Sequence, residues 1–261
     1  MSIVAQSRRS DLPVRAAVGA ALIVVALLDI WLGGTVFWGF ACVVALQMAR
    51  EFWSLVRATS SEVTTGVAAL LTPLALLAPE LGGPRPFVLA LIFVAAAIVA
   101  LITRRTQIAF GTLYIGLPIF ALVWLREQPD GLLLALWALA LVWATDIGAY
   151  FAGRSIGGPK LAPRVSPNKT WAGLIGGLIA AGLLGAGLAQ FAGLPWLLAA
   201  ASPLLGACAQ VGDLYESWLK RRANVKDSGT ILPGHGGVLD RLDGMITAVP
   251  AAALIVWLQP A

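Results

Sequence analysis

The sequence predicts an all-α, polytopic integral membrane protein of about nine spanning helices, with its N-terminus on the cytoplasmic side. Three observations predict it. Of the 261 residues, 59% are hydrophobic and only 12% charged, against roughly 45–50% and about 25% in soluble domains. Apolar runs close to the roughly 20 residues that cross a bilayer recur along the whole chain. The basic residues fall almost entirely into alternate connecting segments, the pattern that sets orientation across a membrane. The 10 Trp, 28 Gly and 15 Pro fit the same class, since Trp favours membrane interfaces and spanning helices tolerate Gly and Pro.

The elements follow in order. The segment MSIVAQSRRSDLPVR is polar and basic, and the apolar run after it reaches Leu32 without a clear A-x-A cleavage site. It therefore reads as an uncleaved first span over 14–32. Further spans are predicted at 35–56, 64–79, 86–103, 106–125, 131–152, 171–191, 195–219 and 243–259. The third is short and contains Pro73, which predicts a tilted or partly inserted helix, and the ninth is also short. With the N-terminus inside and the spans alternating, the inside segments hold 16 of the 18 Lys and Arg, and the outside ones only Arg85 and Arg126. Miscounting one helix would scramble that pattern, so it supports both the count and the orientation. It also accounts for the net charge of +5 as topology and contact with anionic headgroups, which argues against a nucleic-acid partner. Cys42 and Cys208 lie in apolar stretches without metal-site spacing and read as packing residues.

Polarity is concentrated in two inside loops, at about 153–170 and 220–242, and in the helix ends beside them. Ionisable groups within spans are costly and mark function by default. Asp146 lies about two turns from the inner end of its helix; Asp213 and Glu216 lie near the inner end of theirs; Asp240 and Asp243 open the ninth. Asp213, Glu216, Ser217 and Lys220 fall at i, i+3, i+4 and i+7 and share one helical face. Five carboxylates thus reach one depth from three helices, an arrangement that a hard cation such as Mg²⁺ would relieve. Asp240 also suits a plain helix cap, and Asp29 reads as interfacial.

Pro233-Gly234-His235-Gly236-Gly237 is a glycine turn whose amides can converge on an anion, and it leads into the positive end of the ninth helix. Lys226-Asp227 and Asp240-Arg241 flank it. His235 suits an acid or phosphate-donor role, or a structural one in the loop. In the other loop Arg154, Lys160, Arg164 and Lys169 alternate with Gly and Pro, and Thr170 or Asn168 caps the helix that follows. The residues point to a Mg²⁺-dependent site for a polyphosphate at the inner membrane surface, and to phosphoryl or nucleotidyl transfer.

The stretch from Ser217 to Asp243 resembles the signature of the phosphatidate cytidylyltransferase (CDP-diacylglycerol synthase) family. Ser217, Lys220, Arg221, Lys226, Asp227, Pro233, Gly234, His235, Gly236, Gly237, Asp240, Arg241 and Asp243 carry the match. Gly212-Asp213-Leu214 and an upstream block from Asp146 through Lys160-Leu161 and Ser166-Pro167 to Lys169-Thr170-Trp171 extend it. One departure is Ala172, where members commonly have Glu. The likeness covers roughly 140–245; the N-terminal half shares only its apolar character.

The resemblance implies transfer of CMP from CTP to phosphatidic acid, giving CDP-diacylglycerol and pyrophosphate. It implies Mg²⁺, with a second cation as an option, and often a homodimer in a bacterial inner membrane. Asp213, Asp240 and Asp243 become the expected metal carboxylates, with Lys226 and His235 beside them as catalytic candidates. Asp146, Ser166, Lys169, Ser217, Lys220, Arg221, Asp227, Gly234, Gly236, Gly237 and Arg241 become the expected substrate-binding set. The chain then divides into N-terminal helices at 1–105, for packing or lipid access, and a catalytic region at 106–261. Two alternatives stand beside this reading. One is a CTP-using enzyme with another lipid, such as a polyprenol or dolichol kinase or a CDP-archaeol synthase. The other is a transporter, which would place its acids near the midplane and show internal repeats.

Overall fold

The structure, a computed structural model, describes residues 3–232, 234 and 236–259, with side chains from Val18 onward. Among these residues nine α-helices follow one another: α1 (Ile3–Leu32), α2 (Gly34–Leu55), α3 (Ser60–Leu76), α4 (Pro86–Thr103), α5 (Thr106–Arg126), α6 (Gly131–Ser155), α7 (Trp171–Ala192), α8 (Trp196–Ala223) and α9 (Leu239–Trp257). Most ends lie within a few residues of the predicted spans, because hydropathy changes sharply where the chain leaves an apolar run. α1 instead begins well before residue 14. Among the described residues five helices, α4 to α8, are long and apolar enough to cross a membrane. α3 has only 17 residues, and α9 opens with Asp240, Arg241 and Asp243.

Side-chain ties show the connections alternating between two ends of the bundle. At one end Thr59 and Glu62 form a capping box on α3, and Glu62 pairs with Arg105 at 2.8 Å. The same Arg105 donates to the Val56 and Arg57 carbonyls at 2.9 and 3.3 Å, joining the α2–α3 turn to the start of α5. At the other end Arg126 of α5 donates to the carbonyls of Ile30 and Trp31 at the end of α1. The buried indoles find partners: Trp53 donates to the Ile108 carbonyl and Trp137 to Ser202. Cys42 and Cys208 are free and half-buried.

The loop between α6 and α7 departs from the all-helical expectation. It forms an antiparallel ribbon of β1 (Lys160–Ala162) and β2 (Ser166–Thr170), with Lys160 opposite Thr170 and Ala162 opposite Ser166. The Val165 N–H closes the turn on the Ala162 carbonyl at 3.1 Å, with Pro163 at the turn position its fixed φ favours. The ribbon delivers Lys169 immediately before α7, whose first turn Thr170 caps through the Gly173 N–H at 3.0 Å. α6 and α7 then pack through Gly148, Ala152, Gly176 and Ala180, the small-residue contact by which spanning helices approach closely.

Candidate active site

α8 supplies the face the heptad-like spacing requires. Ser217 donates to Asp213 Oδ1 at 3.2 Å, and the Lys220 ammonium lies 3.3 Å from Glu216 Oε1. α9 crosses this face closely because residue 212 is glycine: a Cβ there would run into the Asp243 carbonyl and the Thr247 hydroxyl. Thr247 fastens the crossing by donating to the Cys208 carbonyl at 2.6 Å. Asp243 thereby comes beside Asp213 and Glu216 and is exposed to the charge of Asp146 as well.

The carboxylates are partly balanced by two lysines. Lys169 is ion-paired with Asp213 and donates to Gln210 Oε1 at 2.7 Å, and Gln210 in turn donates to Asp146 Oδ1 at 3.2 Å. Lys220 bridges Glu216 and Asp240. Both lysines belong to the expected substrate-binding set, and in the structure each is paired with carboxylates of the cluster. Five carboxyl groups (Asp146, Asp213, Glu216, Asp240 and Asp243) thus meet two ammonium groups, leaving an excess of negative charge. Glu216 is fully buried, and the Lys220 ammonium beside its Oε1 is the positive charge that faces it.

Asp240 is occupied differently from the other acids. Its Oδ1 takes Lys220 at 2.7 Å, and its Oδ2 takes the Ser228 N–H, the Ser228 hydroxyl and the Gly237 N–H at 2.8, 2.9 and 2.8 Å. Burial works against its charge, but Lys220 and the two amides outweigh it and hold the carboxyl below its ordinary value. Asp240 therefore secures the glycine turn. Among the described residues no three acid, thiol or imidazole groups are grouped so as to hold a metal ion by themselves. Asp213 and Asp243, adjacent and in an acid-rich surrounding, do fit a hard cation, since Mg²⁺ commonly takes one or two carboxylates plus substrate phosphates.

The turn itself closes with Leu232 donating to the Gly236 carbonyl at 3.0 Å. Gly234 and Gly236 have φ of 74° and 83°, left-handed values that favour glycine. His235 and Pro233 lie outside the described residues. Lys226, Asp227 and Arg241 are exposed around the turn, and Asp146 is exposed on α6. Arg221 is tied to the ribbon through the Val165 carbonyl at 3.3 Å, and Ser166 is half-buried on β2.

Two residues of the cluster were missed in the sequence. Gln210, one turn before Asp213, links Asp146 to Lys169. Glu51 of α2 is buried and accepts from Ser228, Val238 and Leu239. Glu51 carried a usable signal, being a carboxylate in the apolar run before Phe52-Trp53, at the same depth as the other acids.

The cytidylyltransferase family model matches residues 13–259. The phosphatidate cytidylyltransferase of Brucella suis biovar 1 is 41% identical over 260 residues, covering 95% of this chain and 93% of that protein. That of Pseudomonas aeruginosa is 36% identical over 256 residues, covering 84% and 88%. That of Bacillus subtilis is 42% identical over 147 residues, covering 55% of each.

Proposed function

This chain belongs to the cytidylyltransferase family, and from that premise we propose that it transfers CMP from CTP to phosphatidic acid, releasing pyrophosphate and forming CDP-diacylglycerol. The supporting observation is the 41% identity to a phosphatidate cytidylyltransferase over nearly the full length of both chains. The cluster at the ends of α6, α8 and α9 is where the reaction would take place. A phosphate oxygen of phosphatidic acid bonds to the α-phosphorus of CTP, and the bond from that phosphorus to the bridging oxygen of pyrophosphate breaks. The lipid phosphate is already an anion, so no side-chain nucleophile is required.

Asp213 and Asp243 would hold Mg²⁺, which when bound supplies neutralisation of the triphosphate and of the departing pyrophosphate. The chain's own residues contribute mainly position and charge, the terms that dominate such transfers. Asp240 and Ser228 fix the shape of the glycine turn beside the site. Lys169 and Lys220 hold the acids in place, and Lys226, Arg221 and Arg241 offer positive charge around the triphosphate. Nine spans with the site on the cytoplasmic face of a bacterial inner membrane would let the lipid tails stay in the bilayer while the headgroup meets soluble CTP; a homodimer is compatible with this.

The test is pyrophosphate release by purified protein from CTP, with and without phosphatidic acid and Mg²⁺. Release should require all three. Equal pyrophosphate release with an archaeol phosphate in place of phosphatidic acid, or release of CDP with polyprenol or dolichol, would overturn the acceptor assignment.

A further inference from the structure

Glu51 is a buried acid that the chemistry above does not use, and it comes from the N-terminal half of the chain. It is 4% exposed. Its Oε1 accepts from Gln47 Nε2 at 2.8 Å and the Val238 N–H at 3.1 Å; its Oε2 accepts from the Ser228 hydroxyl at 3.2 Å and the Leu239 N–H at 2.8 Å. α9 begins at Leu239 behind Val238, a residue with no side-chain acceptor. Its first amides would be orphaned. Glu51 caps them from another helix, with its negative charge at the positive end of the α9 dipole.

Ser228 extends this hold, because its hydroxyl and amide also reach Asp240, which takes the Gly237 N–H. The loop presses closely on the acid: a Cβ at Gly229 or Gly237 would meet Glu51 oxygens at 2.8 and 2.5 Å. Residues 228 and 239 bracket the glycine turn, and Asp243 lies one helical turn beyond Leu239. Charge-assisted hydrogen bonds are roughly twice as strong as neutral ones, so an ionised Glu51 fixes this segment more tightly than a neutral cap.

We infer that Glu51 is a positioning residue, which acts through Ser228 and the first turn of α9 to set the glycine turn and Asp243 for the triphosphate of CTP. The inference rests on the cytidylyl-transfer reading for the identity of the nucleotide. Glu51→Gln tests it, since one of the two oxygens becomes an NH₂ group facing amide or hydroxyl donors. In folded, monodisperse protein, equilibrium binding of CTP should weaken by about tenfold and KM for CTP should rise alike, with KM for phosphatidic acid within about twofold of wild type. A merely structural Glu51 would lower the folded fraction and leave CTP affinity and both KM values unchanged, which overturns the inference. Should Glu51→Gln fail to fold, Ser228→Ala, which leaves the buried acid capped by both amides, carries the same comparison with a smaller expected loss. Wild-type protein that binds CTP but releases no pyrophosphate would overturn the reaction, while the binding arm still decides the role of Glu51.

Discussion

Lys220 has a side chain 14% exposed, between a Glu216 side chain at 0% and an Asp240 side chain at 3%. Removing its charge would leave two buried carboxylates facing each other's neighbourhood without compensation, and breaking a buried pair in this way costs about 3–5 kcal/mol. Lys220→Met is therefore predicted to lower stability by about that amount, read as a fall in the midpoint of thermal unfolding in detergent; an unchanged midpoint would contradict the pairing. Asp243→Asn is the opposite case. It keeps the shape of a half-buried side chain and should leave the midpoint unmoved, while transfer falls by about three orders of magnitude as charge at the polyphosphate is lost. A fully active Asp243→Asn enzyme would remove Asp243 from the site. The shared face of Asp213, Glu216, Ser217 and Lys220 was legible because helical spacing alone brings those residues together. Which partner each lysine prefers was not, since the whole of α7 separates Lys169 on β2 from Asp213 on α8 and they meet only after packing.

At the level of elements, the crossing of α8 and α9 decides whether Asp213 and Asp243 are neighbours. Alanine in place of a helical glycine ordinarily gains up to about 1 kcal/mol from propensity. At Gly212 the added Cβ would press on the Asp243 carbonyl and the Thr247 hydroxyl, and overpacking of this kind costs about 1–3 kcal/mol. The clash outweighs the gain, so Gly212→Ala should lower both stability and transfer, with Thr247→Ser unable to restore either because the backbone contact remains. Stability equal to or above wild type would show that the helices part without consequence. Apart from the start of α1, the helices themselves were legible from hydropathy nearly to their ends. The β1–β2 ribbon was not, because its strands are short and its Gly, Pro and basic residues describe a loop equally well until Pro163 and the Ala162–Val165 bond close the turn.

Across the whole molecule, the site cannot be assigned to the C-terminal region by itself. α5 packs against α2, α3 and α4 on one side and against α9 on the other, and Glu51 reaches from α2 to the start of α9. The signature residues lie between Asp146 and Asp243, which is why the N-terminal half reads as plain apolar helix until the fold brings Glu51 to the loop. A cut after Arg105 offers a way to test this division, because the bonds of Arg105 to Val56, Arg57 and Glu62 all stay within the first piece. Residues 106–261 expressed alone are predicted to be unstable and to release no pyrophosphate, for the start of α9 would lose its cap and α5 its packing partners. Co-expression of 1–105 with 106–261 should restore phosphatidate-dependent release, and co-expression with a Glu51→Gln first piece should restore it with a KM for CTP raised by about tenfold. Full activity from 106–261 alone would show that the N-terminal helices only pack.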